Sequence, residues 1–223
     1  MTRVTFLPGD ARSWATASSG PLTAYVNGWA FAEEGLLKDE ALGRHVIRGL
    51  DASLPVGDIL AGLNGNFAAV VSGRDFAHLG VDAVRSIPLF YRQDGDRLAV
   101  SDDARRLTGQ GCKVDTDSAI EFATAGFVTG PHTLFREISG LQAGECVTWR
   151  VGSGSPEAER YYRYTCSYDA DSSIDDLCEA LDQTVTSAFR RMIDTLDGRQ
   201  VVVPLSGGLD SRLLAATLKR FGY

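Results

Sequence analysis

The sequence predicts an α+β protein with two regimes: a region of short strands and turns as far as about Tyr164, then the opening of a doubly wound α/β domain. Three observations carry this expectation. Short apolar runs rich in aromatic and β-branched residues recur up to Tyr164, punctuated by Gly, Asp, Asn and Pro. A long amphipathic segment begins at Ile174. Finally, an unbroken apolar run, Val201, Val202, Val203, Pro204 and Leu205, leads into Ser-Gly-Gly-Leu-Asp-Ser and a second helical stretch.

Taken in order, TAYVNGWAF, NFAAVVSG, SIPLFYRQDGDRLAVS and GECVTWRVGSG read as strands. The Asp-Gly inside YRQDGDRLAV is the clearest hairpin signal. Helices are expected at residues 36–50, 102–107 and 117–126, the last capped by Asp117-Ser118, whose negative charge suits a helix N-terminus. The polar stretch SYDADSS has little to bury and separates a first domain, 1–165, from a second, 166–223. After it, Ile174, Leu177, Leu181, Val185, Ala188, Met192 and Leu196 recur at three- and four-residue steps. Ser172 or Ser173 can cap this helix, Asp175 and Asp176 favour its start, and Gly198 stops it. The apolar run at Val201 lacks alternation, as a parallel strand covered on both faces does, and Pro204 is tolerable only at its end. Asp210 or Ser211 then opens the helix SRLLAATLKRF.

Composition narrows the function. With 223 residues and 44% hydrophobic content the chain can bury a sizeable core. A net charge of −7 and a pI near 5.0 argue against nucleic-acid or acidic-membrane partners, which require clustered Lys and Arg. A small-molecule or protein partner is expected instead. Cys112, Cys146, Cys166 and Cys178 form no metal-ligand spacing or disulfide pattern and are expected to be reduced and mostly buried. His45, His78 and His132 lack a spaced Cys or carboxylate set and read as surface or core residues. The N-terminus has no basic region followed by an apolar stretch, and no apolar run is long enough to cross a membrane, so a cytoplasmic location is expected.

The loop after Leu205 carries the chemistry. Gly207 and Gly208 remove Cβ atoms where backbone N–H groups can approach an anion, and the next helix adds its positive end. Ser206 and Ser211 add hydroxyl donors, while Asp210 beside phosphates implies an intervening Mg²⁺. No Gly-Lys-Ser/Thr follows, so this is not a Walker loop. Gripping a pyrophosphate without that Lys suits cleavage between the α and β phosphates. The plain alternative is a Gly-Gly turn with a capping Asp, common in α/β proteins.

LSGGLDS after a hydrophobic strand resembles the pyrophosphate-binding loop of the ATP pyrophosphatase family, and its context resembles asparagine synthetase and its relatives. LNGNFAAVVSGRD followed by GVDAVRSIPLFYRQDGDRLAVSDDARRL is similar to that family's Gly-x-Phe-Ala strand, Asp-x-x-Gly-x-x-Pro-Leu-Tyr-Tyr run and following helix start. TLFREISGLQAGECVTW with RYY resembles its exit from the first domain. The resemblance covers roughly residues 60–223 and rests on order and spacing.

It implies a class II glutamine amidotransferase-like first domain, an Ntn-type αββα sandwich, in front of an ATP-binding synthetase domain. Active members use an N-terminal Cys as glutaminase nucleophile, whereas this sequence reads Met1-Thr2-Arg3-Val4. Asn27-Gly28 matches the family's Asn-Gly of the glutamine pocket, residues 29–32 depart from it, and the Ser-Asp-x-Glu that holds the glutamine ammonium has no counterpart. Thr2, exposed by removal of Met1, is a candidate replacement nucleophile for amide hydrolysis, though the lost substrate contacts favour its simply opening the strand RVTFL. The resemblance thus implies an ATP- and Mg²⁺-dependent amide-forming ligase of the kind that serves asparagine biosynthesis. Leu205, Ser206, Gly207, Gly208, Asp210 and Ser211 would bind the phosphates of ATP. A small-molecule or peptide carboxylate would be adenylated and attacked by free ammonia or an amine, as in β-lactam-forming synthetases and lasso-peptide cyclases. Arg212 reads as an exposed helix residue. A non-catalytic scaffold module is the competing reading. One helix after the loop is too little for a nucleotide domain, so the chain is expected to be part of a longer protein and inactive alone. It would then expose Leu177, Leu181, Leu213 and Leu214, with homodimerisation one outcome.

Overall fold

The computed structural model describes residues 3–166 and 172–223, and its chain divides into two compact units, Met1–Tyr164 and Thr165–Tyr223. In the first unit β1 (Val4–Phe6), β2 (Ala15–Ser19), β3 (Leu22–Ala32) and β4 (Gly35–Lys38) precede α1 (Asp39–Asp51) and α2 (Val56–Ala61). Next come β5 (Asn64–Ser72), β6 (Phe76–Val81), β7 (Phe90–Asp94) and β8 (Arg97–Ser101), then α3 (Thr116–Ala125), β9 (Ser139–Gly140), β10 (Glu145–Arg150) and β11 (Glu157–Arg160). They build a seven-stranded antiparallel sheet, ordered β11-β10-β6-β5-β3-β2 with β4 against β3, and a four-stranded sheet ordered β1-β8-β7-β9.

The mixed α+β architecture follows from the residue patterns. In β5 the continuous run Phe67, Ala68, Ala69, Val70 and Val71 is buried on both faces. Phe67, Ala69 and Val71 meet Leu42, Val46 and Ile47 of α1 and Ile59 and Leu60 of α2, forming one core. Ala68 and Val70 face the second sheet and join Leu98, Val100, Leu79 and Trp149 in another core. The larger sheet is therefore the central layer, which is why its middle strand shows no polar alternation. Gly95, with φ of 54°, opens the two-residue turn of the β7–β8 hairpin, as its Asp-Gly signal predicts.

Three expected helices shift. Residues 36–38 pair with β3 as β4, so α1 starts only at Asp39; two leucines and a lysine fit either pattern, and the hairpin claims them. Residues 104–107 form a single 3₁₀ turn capped by Asp103. α3 is capped by Asp115, whose carboxylate accepts from the Ser118 N–H, rather than by Asp117-Ser118. This helix buries only Ser118 and leaves Ile120 and Phe122 exposed, unlike α1.

The second unit comprises α4 (Ile174–Leu196) and α5 (Leu209–Arg220). Ser173 and Asp176 close a reciprocal capping box at the start of α4, and Asp197 and Gly198 end it in left-handed conformations. Phe189 stacks parallel to Phe221 at 6.4 Å, and Arg220 pairs with Asp182 at 2.8 Å. The expected parallel strand at residues 201–205 is not a strand here, because no described strand of this unit lies beside it to form a ladder. A doubly wound sheet is accordingly not present among the described residues.

Candidate functional site

The residues expected to form a phosphate loop lie together at the start of α5. Leu205, Ser206, Gly207, Gly208 and Asp210 are exposed and Ser211 is half-buried. The loop closes on itself through its hydroxyls: Ser206 and Ser211 Oγ are 3.1 Å apart, and the Ser206 N–H donates to Ser211 Oγ at 3.1 Å. Gly208 N–H donates to Ser206 Oγ at 3.3 Å, and Arg212 folds back to donate to the Gly207 carbonyl at 3.2 Å. Arg212 is thus exposed, as expected, but it also braces the loop.

Gly208 is the N-cap of α5, and no side chain caps the helix. A Cβ on Gly207 would meet no atom within 4 Å, and one on Gly208 would touch only Ser206 Oγ at 3.4 Å. Neither glycine has a positive φ. Nothing inside the described chain therefore demands glycine at either position.

Asn27 and Gly28, which the resemblance assigns to a glutamine pocket, lie on β3. Asn27 sits opposite Ala68 on the face turned toward the second sheet. Gly28 has φ of 95°, and a Cβ there would fall 2.0 Å from the Asn66 carbonyl oxygen. A Cβ on Gly65 would be 2.2 Å from the Trp29 carbonyl oxygen, so the backbones of β3 and β5 approach closely at this point. Trp29 and Phe31 follow on the same face and meet edge-to-face at 6.0 Å. Thr2, the candidate nucleophile, lies outside the described residues.

Asp82 anchors the neighbouring turn. Its buried carboxylate accepts from the backbone N–H groups of Phe67, Val84 and Ser86 at 3.1, 2.9 and 3.0 Å. Tyr161 donates to the Val81 carbonyl at 2.5 Å, and burial, with Asp82 nearby, holds its hydroxyl well above the ordinary range for ionisation. Arg85 stands at the Gly position of the Asp-x-x-Gly-x-x-Pro pattern, keeps the left-handed conformation with φ of 58°, and lays its guanidinium over Phe90. Its Nε is buried without a hydrogen-bond partner among the described residues.

Two polar groupings were not singled out by sequence. Glu34 accepts from His45 Nδ1 at 2.8 Å and from Arg48 at 3.0 Å. Hydrogen bonding from its own backbone and from His45 holds its pKa below the ordinary carboxylate value. His78 Nδ1 lies 3.0 Å from Thr148 Oγ1 and lines a cleft at one end of the large sheet. Burial, aided by Arg150, pulls its pKa down to about 4. His78 and Thr148 meet by cross-strand pairing of β6 and β10, and Glu34 reaches α1 from the β3–β4 turn, contacts invisible in local spacing. His132 is exposed. Of the cysteines only Cys146 is buried, with its thiol pushed up to about 12 by desolvation; Cys166 and Cys178 are exposed, correcting the expectation of burial. No cluster of three metal-ligating side chains occurs among the described residues, and no described helix is long and apolar enough to cross a membrane.

No curated protein matches the chain. Two solved structures share its outline loosely. Glutamine phosphoribosylpyrophosphate amidotransferase from B. subtilis, complexed with ADP and GMP, gives 13% identity and a TM-score of 0.38 over 66% of this chain and 31% of that one. A structure described as the allosteric regulatory enzyme of purine biosynthesis gives 12% identity and a TM-score of 0.38 over 66% and 30%. The chain thus spans under a third of the length of either. Superpositions this loose add nothing to the architecture that strand pairing establishes. Residues 53–162 match the family model of the glutamine amidotransferase domain. That span runs from the connection between α1 and α2 through the Asp82 turn to Tyr162, and over it the chain is similar to a glutamine amidotransferase domain.

Proposed function

We propose that the chain is part of an ATP-dependent, AMP-forming amide ligase of the asparagine synthetase kind, with its nucleotide loop at residues 205–211. The observation that carries this is the loop itself. Two glycines that the described chain does not need stand beside an uncapped helix N-terminus and two hydroxyls. These are the donors and the open space that a pyrophosphate requires.

In this reading the backbone N–H groups of Gly207 and Gly208 and the hydroxyls of Ser206 and Ser211 hold the β and γ phosphates. Asp210 is free of ion pairs among the described residues and is the group to hold Mg²⁺, which supplies positive charge for the departing pyrophosphate. A small-molecule or peptide carboxylate attacks the α-phosphorus, and ammonia or an amine then displaces AMP to leave an amide. The fixed loop donors serve mainly to position and to stabilise the charge that develops. The amidotransferase-like domain suits an ammonia-linked role, but Trp29 stands where the family pattern has Glu, which supports a nitrogen source other than glutamine.

ATP–pyrophosphate exchange by the protein in its full natural length, assayed across carboxylates, tests this. Carboxylate-dependent exchange is expected, together with the absence of glutamine hydrolysis in both the parent and Thr2→Ala. A second reading, a non-catalytic interaction module, is favoured by the unpaired segment at residues 201–205 and the exposed Leu177, Leu181, Leu213 and Leu214. Absence of exchange with every carboxylate would select it.

A further inference from the structure

A cleft of about 490 Å³ lies at one end of the large sheet, beneath the connection between α1 and α2, apart from both sites described above. Strand register places its floor. Phe76 pairs with Arg150 and His78 with Thr148 across β6 and β10, on the face that carries Cys146 into the core with α1 and α2. Toward this end of the sheet the core-side face changes from apolar to His78, Thr148 and Arg150. His78 and Thr148 are half-buried there and Arg150 is exposed. Leu22, Leu50, Leu54 and Val56 supply an apolar wall. Ser53, in the roof, holds a left-handed conformation with φ of 61°, the kind of strain that gathers at ligand sites.

The charges decide what the cleft suits. Arg150 is held 5.9 Å from the centroid of the Phe76 ring, and its guanidinium has no ion-pair partner among the described residues. Glu159, on β11, also lines the cleft and has no ion-pair partner there. Gly57 gives its carboxylate room: a Cβ at that position would approach Glu159 Oε1 to 3.2 Å. Two opposite charges therefore face one cleft without pairing with each other. His78 and Thr148 satisfy one another and present uncharged polar groups between the cleft and the core.

We propose that this cleft binds a free α-amino acid with an aliphatic side chain, its carboxylate on Arg150, its ammonium on Glu159 and its side chain on the Leu22, Leu50 and Val56 wall. A ligand with only one of the two charges leaves the other without its counter-charge. The aliphatic wall selects against a polar side chain. The site is independent of the nucleotide loop and of the ligase reading.

Calorimetry on the full chain tests it with leucine and two analogues that each lack one charge, leucinamide and 4-methylpentanoate. Leucine binds saturably, and each analogue binds at least about tenfold more weakly, in line with loss of one charge-assisted hydrogen bond. Arg150→Met removes the preference over leucinamide, and Glu159→Gln removes the preference over 4-methylpentanoate. Both side chains are exposed, so thermal midpoints stay at the parent value; if a variant loses its cooperative melt, the wild-type comparison of the three ligands decides alone. No saturable heat with leucine up to about 10 mM, equal binding of all three ligands, or leucine affinity unchanged in both variants overturns the proposal.

Discussion

The two pairs of glycines at the candidate sites stand in opposite relations to the fold. Gly28 and Gly65 are compelled by it: a Cβ on either would overlap a carbonyl oxygen of the adjacent strand at 2.0 or 2.2 Å. Gly207 and Gly208 are compelled by nothing in the described chain, since a Cβ on the first meets no atom and one on the second only brushes Ser206 Oγ at 3.4 Å. A glycine required by backbone contact reports on packing. A glycine left in open space at a helix N-terminus points outward, to something the chain is built to approach. By this measure the Asn27-Gly28 motif marks the β3–β5 junction as much as any glutamine pocket, and the loop at residues 205–211 is the stronger functional mark.

The comparison can be broken most severely at Gly28. Gly28→Val adds a clash with backbone to an already left-handed residue and should destabilise the first unit by more than about 3 kcal/mol in urea denaturation. A loss below about 1 kcal/mol would show that β3 and β5 can separate there at little cost. Asp82→Ala comes next. It leaves the N–H groups of Phe67, Val84 and Ser86 without their acceptor, and a loss of about 3 kcal/mol is expected, with Asp82→Asn intermediate.

His78 gives a pH signature. Its folded pKa of about 4 lies below the ordinary 6.5, so the unfolded chain binds the extra proton first as pH falls. Stability from this group is present above about pH 6.5 and is lost as pH falls toward 4, by up to about 2–3 kcal/mol. His78→Gln should flatten that part of the curve relative to the parent. An unchanged difference between pH 7 and pH 4.5 would place the imidazole in solvent.

Smaller effects belong to the second unit. Ser173→Ala should cost about 1 kcal/mol and speed amide exchange in the first turn of α4, leaving the first unit untouched. Gly207→Ala should change stability by less than about 0.5 kcal/mol, because the added methyl meets nothing, while removing nucleotide binding in the full-length protein. A Gly207→Ala protein that retains nucleotide would remove the contrast with Gly28.

What was legible in the sequence follows from where the determining contacts lie. The β7–β8 turn and the α4 cap are set by residues a few positions apart, Gly95 in one case and Ser173 with Asp176 in the other, and both were readable. β4 was hidden because Leu36 and Leu37 satisfy helix and strand patterns equally, and their partners on β3 decide. The segment at residues 201–205 has the composition of a buried strand, yet a strand exists only with neighbours, and among the described residues it has none. His78 reads as an isolated residue because Thr148 lies 70 positions away. Asp82 was visible as part of a motif, but its three backbone bonds, which explain why a carboxylate stands there, required the turn to be folded.

ATP–pyrophosphate exchange by the full-length protein with its Asp210→Ala and Gly28→Ala variants tests the central claim most directly. The account predicts carboxylate-dependent exchange that Asp210→Ala abolishes without altering the melting of the first unit, whereas Gly28→Ala lowers that melting. Exchange undiminished in Asp210→Ala, or absent from the parent with every carboxylate, would contradict it.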